Sequence, residues 1–150
     1  MFRIRIAVFG WVAARAIAGA SESTSGPPCF EAEVVDHVRE QFRAYGPRSV
    51  RHEYFGFLYV KAGIVGSAVT RGNECTGSGK CLVDTATAAR RIPQGAKVLG
   101  EWHTHPHVDG SPSLSAEDVR GANHNRHIRC YSAFYSKPNG EIYAWNPAAT

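Results

Sequence analysis

Lys97-Val-Leu-Gly-Glu101-Trp-His103-Thr-His105-Pro106 is the stretch on which the reading of this chain turns. It has the character of an extended strand, where side chains two residues apart share a face, so His103 and His105 present two imidazoles on one side while Thr104 points away. Pro106 has no N–H to donate and ends the ladder. Asp118 stands thirteen residues beyond His105. A catalytic zinc usually takes three protein ligands and keeps a fourth position for water, so His103, His105 and Asp118 form a candidate set for one Zn2+ ion. Two histidines in an extended segment are otherwise ordinary polar surface; the third donor is what distinguishes them.

Working outward, Ser111-Pro-Ser-Leu-Ser115-Ala-Glu-Asp118 reads as a loop entering a helix. Ser115 fits the N-cap, and Asp118 three residues later fits the other half of a capping box. Capping accounts for the helix start without any metal. It does not account for a connection short enough to fold Asp118 back toward the histidines.

His103-x-His105-Pro followed by Ser115-x-x-Asp118 resembles the JAMM motif of the MPN-domain zinc metallopeptidases (JAB-like, prokaryotic type). That family also carries an upstream strand written Glu-x-x-Gly, and Glu53-Tyr-Phe-Gly56-Phe-Leu-Tyr-Val matches it. The similarity spans residues 53–118. The loop from His105 to Ser115 holds nine residues, two more than the family pattern, and a register on Ser113 would put Ala116 in the place of the aspartate. The resemblance implies an α/β sandwich with a central mixed sheet flanked by helices, and hydrolysis of a peptide, isopeptide or related amide bond. It implies Glu53 as general base, Ser115 as oxyanion donor, and His103, His105 and Asp118 as metal ligands. Zinc would bring bound water to a pKa of about 7, and a general base contributes roughly a hundred- to ten-thousandfold.

Glu101 is the rival carboxylate, since it shares a strand face with both histidines; beside Glu53 it reads as a supporting or edge-strand acid. The metallo-β-lactamase spacing would need aspartate at the position of His107, and amidohydrolase barrels take about 250 residues. His52 should point away from Glu53, His107 lies close enough to touch substrate, and His124 with His127 reads as a solvated helix end. Gly-Ser-Gly-Lys80 resembles a fragment of a phosphate loop, but its first glycine is misplaced and it lacks the strand-to-helix context.

Arg3 and Arg5, the apolar residues 6–14 and Ala18-Gly-Ala20 have the form of a secretory signal peptide over 1–20, interrupted by Arg15. Seventeen Lys and Arg oppose thirteen Asp and Glu in the full chain. Removing those three arginines leaves fourteen against thirteen, which supplies no electrostatic footprint for nucleic acid. Four cysteines follow residue 20, an even number that suits an oxidising compartment. Cys75 and Cys81 flank a flexible turn and can close a small disulfide loop, or remain as thiols.

Residues 21–29 read as a linker and 30–150 as one domain. Phe30, Val34, Val38 and Phe42 predict an amphipathic helix over 30–45 that ends at Gly46-Pro47. Strands are predicted over 53–60, 64–70, 81–85 and 97–105, then a helix over 115–125. Strands over 128–135 and 141–145 flank Asn139-Gly140, a hairpin signal. The expectation is a secreted or periplasmic zinc hydrolase with a peptide or protein substrate, no nucleic-acid partner and no stable membrane insertion after processing. A non-catalytic MPN-like binding module and an exported JAMM-like toxin domain are the alternatives.

Overall fold

The computed structural model describes residues 32–75, 81–106, 114–136 and 140–147. The expected signal peptide and linker, His107 and Asn139 lie outside the described residues. Helix α1 (Ala32–Tyr45) buries Val34, Val38 and Phe42, the every-fourth-residue stripe of the sequence, and stops at a short 3-10 turn, Gly46–Arg48, with proline at its start. Strands β1 (His52–Lys61) and β2 (Ile64–Glu74) form an antiparallel hairpin. Its two-residue loop, Ala62-Gly63, has positive φ at both positions, the backbone that matches the twist of the paired strands.

After β2 the Cys75–Cys81 disulfide turns the chain back, and the Asn73 amide donates to the Leu82 carbonyl at 3.0 Å. The strand predicted over 81–85 does not form. Asp84 instead caps a short helix α2 (Thr85–Arg90), its carboxylate accepting from the Thr87 amide. Capping by Asp84 and the alanine-rich run behind it outweigh the apolar Cys-Leu-Val that suggested a strand.

Strand β3 (Lys97–Thr104), helix α3 (Ala116–His124), strand β4 (Ser132–Ser136) and strand β5 (Ile142–Trp145) complete the order. The five strands make one mixed sheet, β2-β1-β3-β4-β5, in which β3 and β4 are parallel and the other neighbours antiparallel. A parallel pair needs a crossover, and α3 lies within it. Strand β4 starts at Ser132, four residues later than expected, because residues 125–130 are spent in turns after α3.

Two cores sandwich the sheet. On one face Val34, Val38 and Phe42 of α1 pack on Leu58, Trp102 and Phe134. On the other, Ala122 of α3 packs with Tyr131, Ala133, Val98, Ile128 and Trp145. The result is a single-domain α/β fold with a layer on each face of a mixed sheet. Among the described residues no helix is long and apolar enough to cross a membrane.

Candidate metal centre

Strand β3 occupies the centre of the sheet, and from Gly100 to Thr104 it is buried on both faces. Trp102 and Thr104 point toward α1 and Glu101 and His103 toward α3, as alternation requires. His103 is 2% and His105 7% exposed. Their Nε2 atoms lie 3.0 Å apart with the rings stacked at 20°. Asp118 sits at the third position of α3, its Oδ2 3.7 Å from His103 Nε2.

The ligand atoms of His103, His105 and Asp118 all lie within 4.8 Å of one another. Tetrahedral zinc with bonds of about 2.0–2.1 Å separates neighbouring donors by about 3.3 Å. The two separations from His103, 3.0 and 3.7 Å, fall on either side of that value, and with all three donors within 4.8 Å the group could hold a metal ion.

Burial drives the His103 pKa down to about 4, with Asp118 pulling it up and His105 pushing it further down. At neutral pH the ring is therefore uncharged and its contact with Asp118 is not an ion pair. A neutral imidazole keeps the lone pair a metal needs.

Asp118 is held from behind. Ser115 caps α3 by accepting from the Asp118 amide at 3.1 Å, and Asp118 Oδ2 accepts from the Ser115 amide at 2.7 Å. The capping box read from the sequence and the ligand position coincide in one residue.

Phe55 of β1 is the register partner of His103, and Phe57 of Glu101. Glu53 lies two residues beyond the outermost of these pairs, where β1 and β2 change register between His52 and Tyr54. Gly56 faces Trp102, and a Cβ there would come within 2.5 Å of the indole nitrogen. The small residue of Glu-x-x-Gly is thus required by the Trp102 side chain of the neighbouring strand β3.

Glu101 is not an edge-strand acid, because β3 is central. It is 5% exposed and accepts from the Tyr131 hydroxyl. Burial raises its pKa to about 7, the Tyr131 bond opposes that, and Asp118 adds to it. Tyr131, whose own pKa burial and Glu101 raise, also accepts from the Asn125 amide at 3.0 Å. This group links the end of α3 to the floor of the site.

Sequence reasoning missed Tyr131, and it missed Tyr135, which lies 5.5 Å from the His105 ring and stacks on Tyr143 at 5.1 Å. Alternation along β4 contained the signal, but only the pairing of β4 with β3 reveals it. Cys130, just before Tyr131, is itself disulfide-bonded and has positive φ. His52 faces the Gly72 carbonyl at 3.3 Å, and His127 faces the His124 carbonyl at the exposed end of α3. Neither joins the metal group. The chain matches no family model and no curated protein.

Proposed function

We propose that this chain is an exported, zinc-dependent hydrolase of the JAMM type, with an MPN-like fold, that cleaves an amide bond in a peptide or protein. The observation that carries the reading is the convergence of the His103, His105 and Asp118 donor atoms within 4.8 Å. Zinc held by these three would acidify a bound water to a pKa of about 7. Glu53 would act as the general base, accepting a proton from the attacking water at its carboxylate and delivering it to the leaving amine, so that amide and water would give a carboxylate and an amine. Ser115 Oγ spends a lone pair on the Asp118 amide and keeps its hydrogen to donate toward the oxyanion of the substrate carbonyl. Glu101, tied to Tyr131, supports α3 and its ligand and does not serve as the base.

Export is supported by the Cys75–Cys81 disulfide, which belongs to an oxidising compartment, together with the amino-terminal pattern. An exported hydrolase meets envelope peptides or the proteins of another cell. Incubating the zinc-loaded protein with peptidoglycan fragments, isopeptide-linked conjugates and a quenched peptide library tests the activity. Glu53→Gln should keep the metal and lose about a hundredfold or more in turnover, and Glu101→Gln much less. Stoichiometric zinc without cleavage of any of the three classes would favour a binding module.

A further inference from the structure

Beside the candidate metal centre, two buried hydroxyls tie the start of β1, on either side of Glu53, to the end of β3. Ser49, which ends the 3-10 turn after α1, is 1% exposed and Thr104 is fully buried. The Ser49 hydroxyl donates to the His52 carbonyl at 2.7 Å. Its single hydrogen is thereby committed, so the 2.6 Å contact between Ser49 Oγ and Thr104 Oγ1 is a bond donated by Thr104. Thr104 Oγ1 in turn accepts from the Tyr54 amide at 3.0 Å. The chain of bonds runs from Tyr54 N–H through Thr104 and Ser49 to His52 C=O, with every hydrogen placed.

The two peptide groups at the ends of that chain are those that flank the Glu53 Cα. Thr104, which closes it, stands between His103 and His105. The ladder between β1 and β3 runs from Phe55 paired with His103 inward, and β1 and β2 change register between His52 and Tyr54. Glu53 therefore sits where the regular pairing of β1 gives way, and the hydroxyl pair supplies the local constraint.

We propose that Ser49 and Thr104 are positioning residues that clamp the Glu53 backbone to the ligand strand, holding its carboxylate in reach of a water on the metal. The proposal rests on the reading of Glu53 as the base. A displacement of about 1 Å in a catalytic group can cost a hundredfold in rate, which is the scale on which such a clamp matters. Thr104 also gives the segment between the two ligands a second task, carried out on the opposite face of the sheet.

The test uses Zn2+ alone as the probe and the Glu53 side-chain carboxyl 13C resonance of the labelled full chain as the readout. In the native protein, zinc loading should move that resonance. In Thr104→Val and in Ser49→Ala, zinc should still bind at about one per chain, the shift should shrink by about half or more, and the Tyr54 amide should exchange faster with solvent. Thr104→Ser, which restores the hydroxyl, should return the native response; a merely structural defect would not follow the hydroxyl in this way. Should Thr104→Val fail to fold, Ser49→Ala decides alone. An undiminished zinc response in the folded variants would overturn the clamp, as would loss of zinc from them, since the hydroxyls would then be shaping the ligands. A native protein that binds zinc with no response at Glu53 would remove the base assignment itself, and the clamp with it.

Discussion

The two faces of the central sheet are made by the same strands and differ in what they bury. The face under α1 holds Leu58, Trp102, Phe134, Val38 and Phe42, and its ring contacts are tight, with Phe42 edge-on to Trp102 at 5.7 Å and Tyr45 at 5.5 Å. The face under α3 buries Glu101, His103 and His105 among Tyr131 and Tyr135. Apolar burial stabilises in proportion to area, whereas a buried imidazole or carboxyl costs free energy unless it is paired or ligates a metal. The first face holds the fold together, and the second spends part of that stability on a site. The adjacency is close: Trp102 and His103 are neighbours in one strand.

The largest effect should come from the first face. Trp102→Ala removes a fully buried ring and should cost about 3–5 kcal/mol in chemical denaturation. His103→Ala in the metal-free protein should cost far less, because it also removes a desolvated polar group. Equal losses would erase the distinction between the faces.

Next in size is the metal's own contribution. Zinc at about a hundredfold above its Kd should add about 2.7 kcal/mol to the stability of the native protein and nothing to His103→Ala. A thermal shift in zinc and in chelator measures both. A smaller effect belongs to the cap beneath the third ligand: Ser115→Ala should destabilise α3 by about 1 kcal/mol. If the helix is indifferent to Ser115, the capping box does not anchor Asp118.

The smallest effect tests a polar seam on the apolar face. Trp102 Nε1 donates to Ser67 Oγ at 3.0 Å, and Ser67 Oγ faces His37 Nε2 at 2.9 Å. Burial holds the His37 pKa below its ordinary 6.5, with Glu40 pulling the other way. The unfolded chain therefore takes up a proton that the folded chain resists. The stabilisation is present above about pH 6.5 and is lost as pH falls through that value toward the lower folded pKa. Denaturation curves from about pH 8 to about pH 5 should show a larger loss in the native protein than in His37→Gln. Parallel curves would show that this seam does not titrate.

Legibility in the sequence followed the range of the interactions. Val34, Val38 and Phe42 announce α1 by spacing alone, and Ser115 with Asp118 announces the start of α3, because both patterns are local. The Cys75–Cys81 pair was legible for the same reason. Residues 81–85 were misread because three apolar residues resemble a strand until the disulfide and the Asp84 cap are considered together. Tyr131 beside Glu101, Tyr135 beside His105 and Ser49 beside Thr104 were not legible, since each contact spans thirty residues or more and depends on strand order. The candidate ligands stood out because His103 lies at the end of β3, His105 directly follows it, and Asp118 is in the first turn of the next helix.

Metal content tests the central claim most directly. Elemental analysis of the zinc-loaded, desalted protein should find about one zinc per chain, and His103→Ala with His105→Ala should retain none. No stoichiometric metal in the native protein, or the same metal in the double variant, would contradict the account.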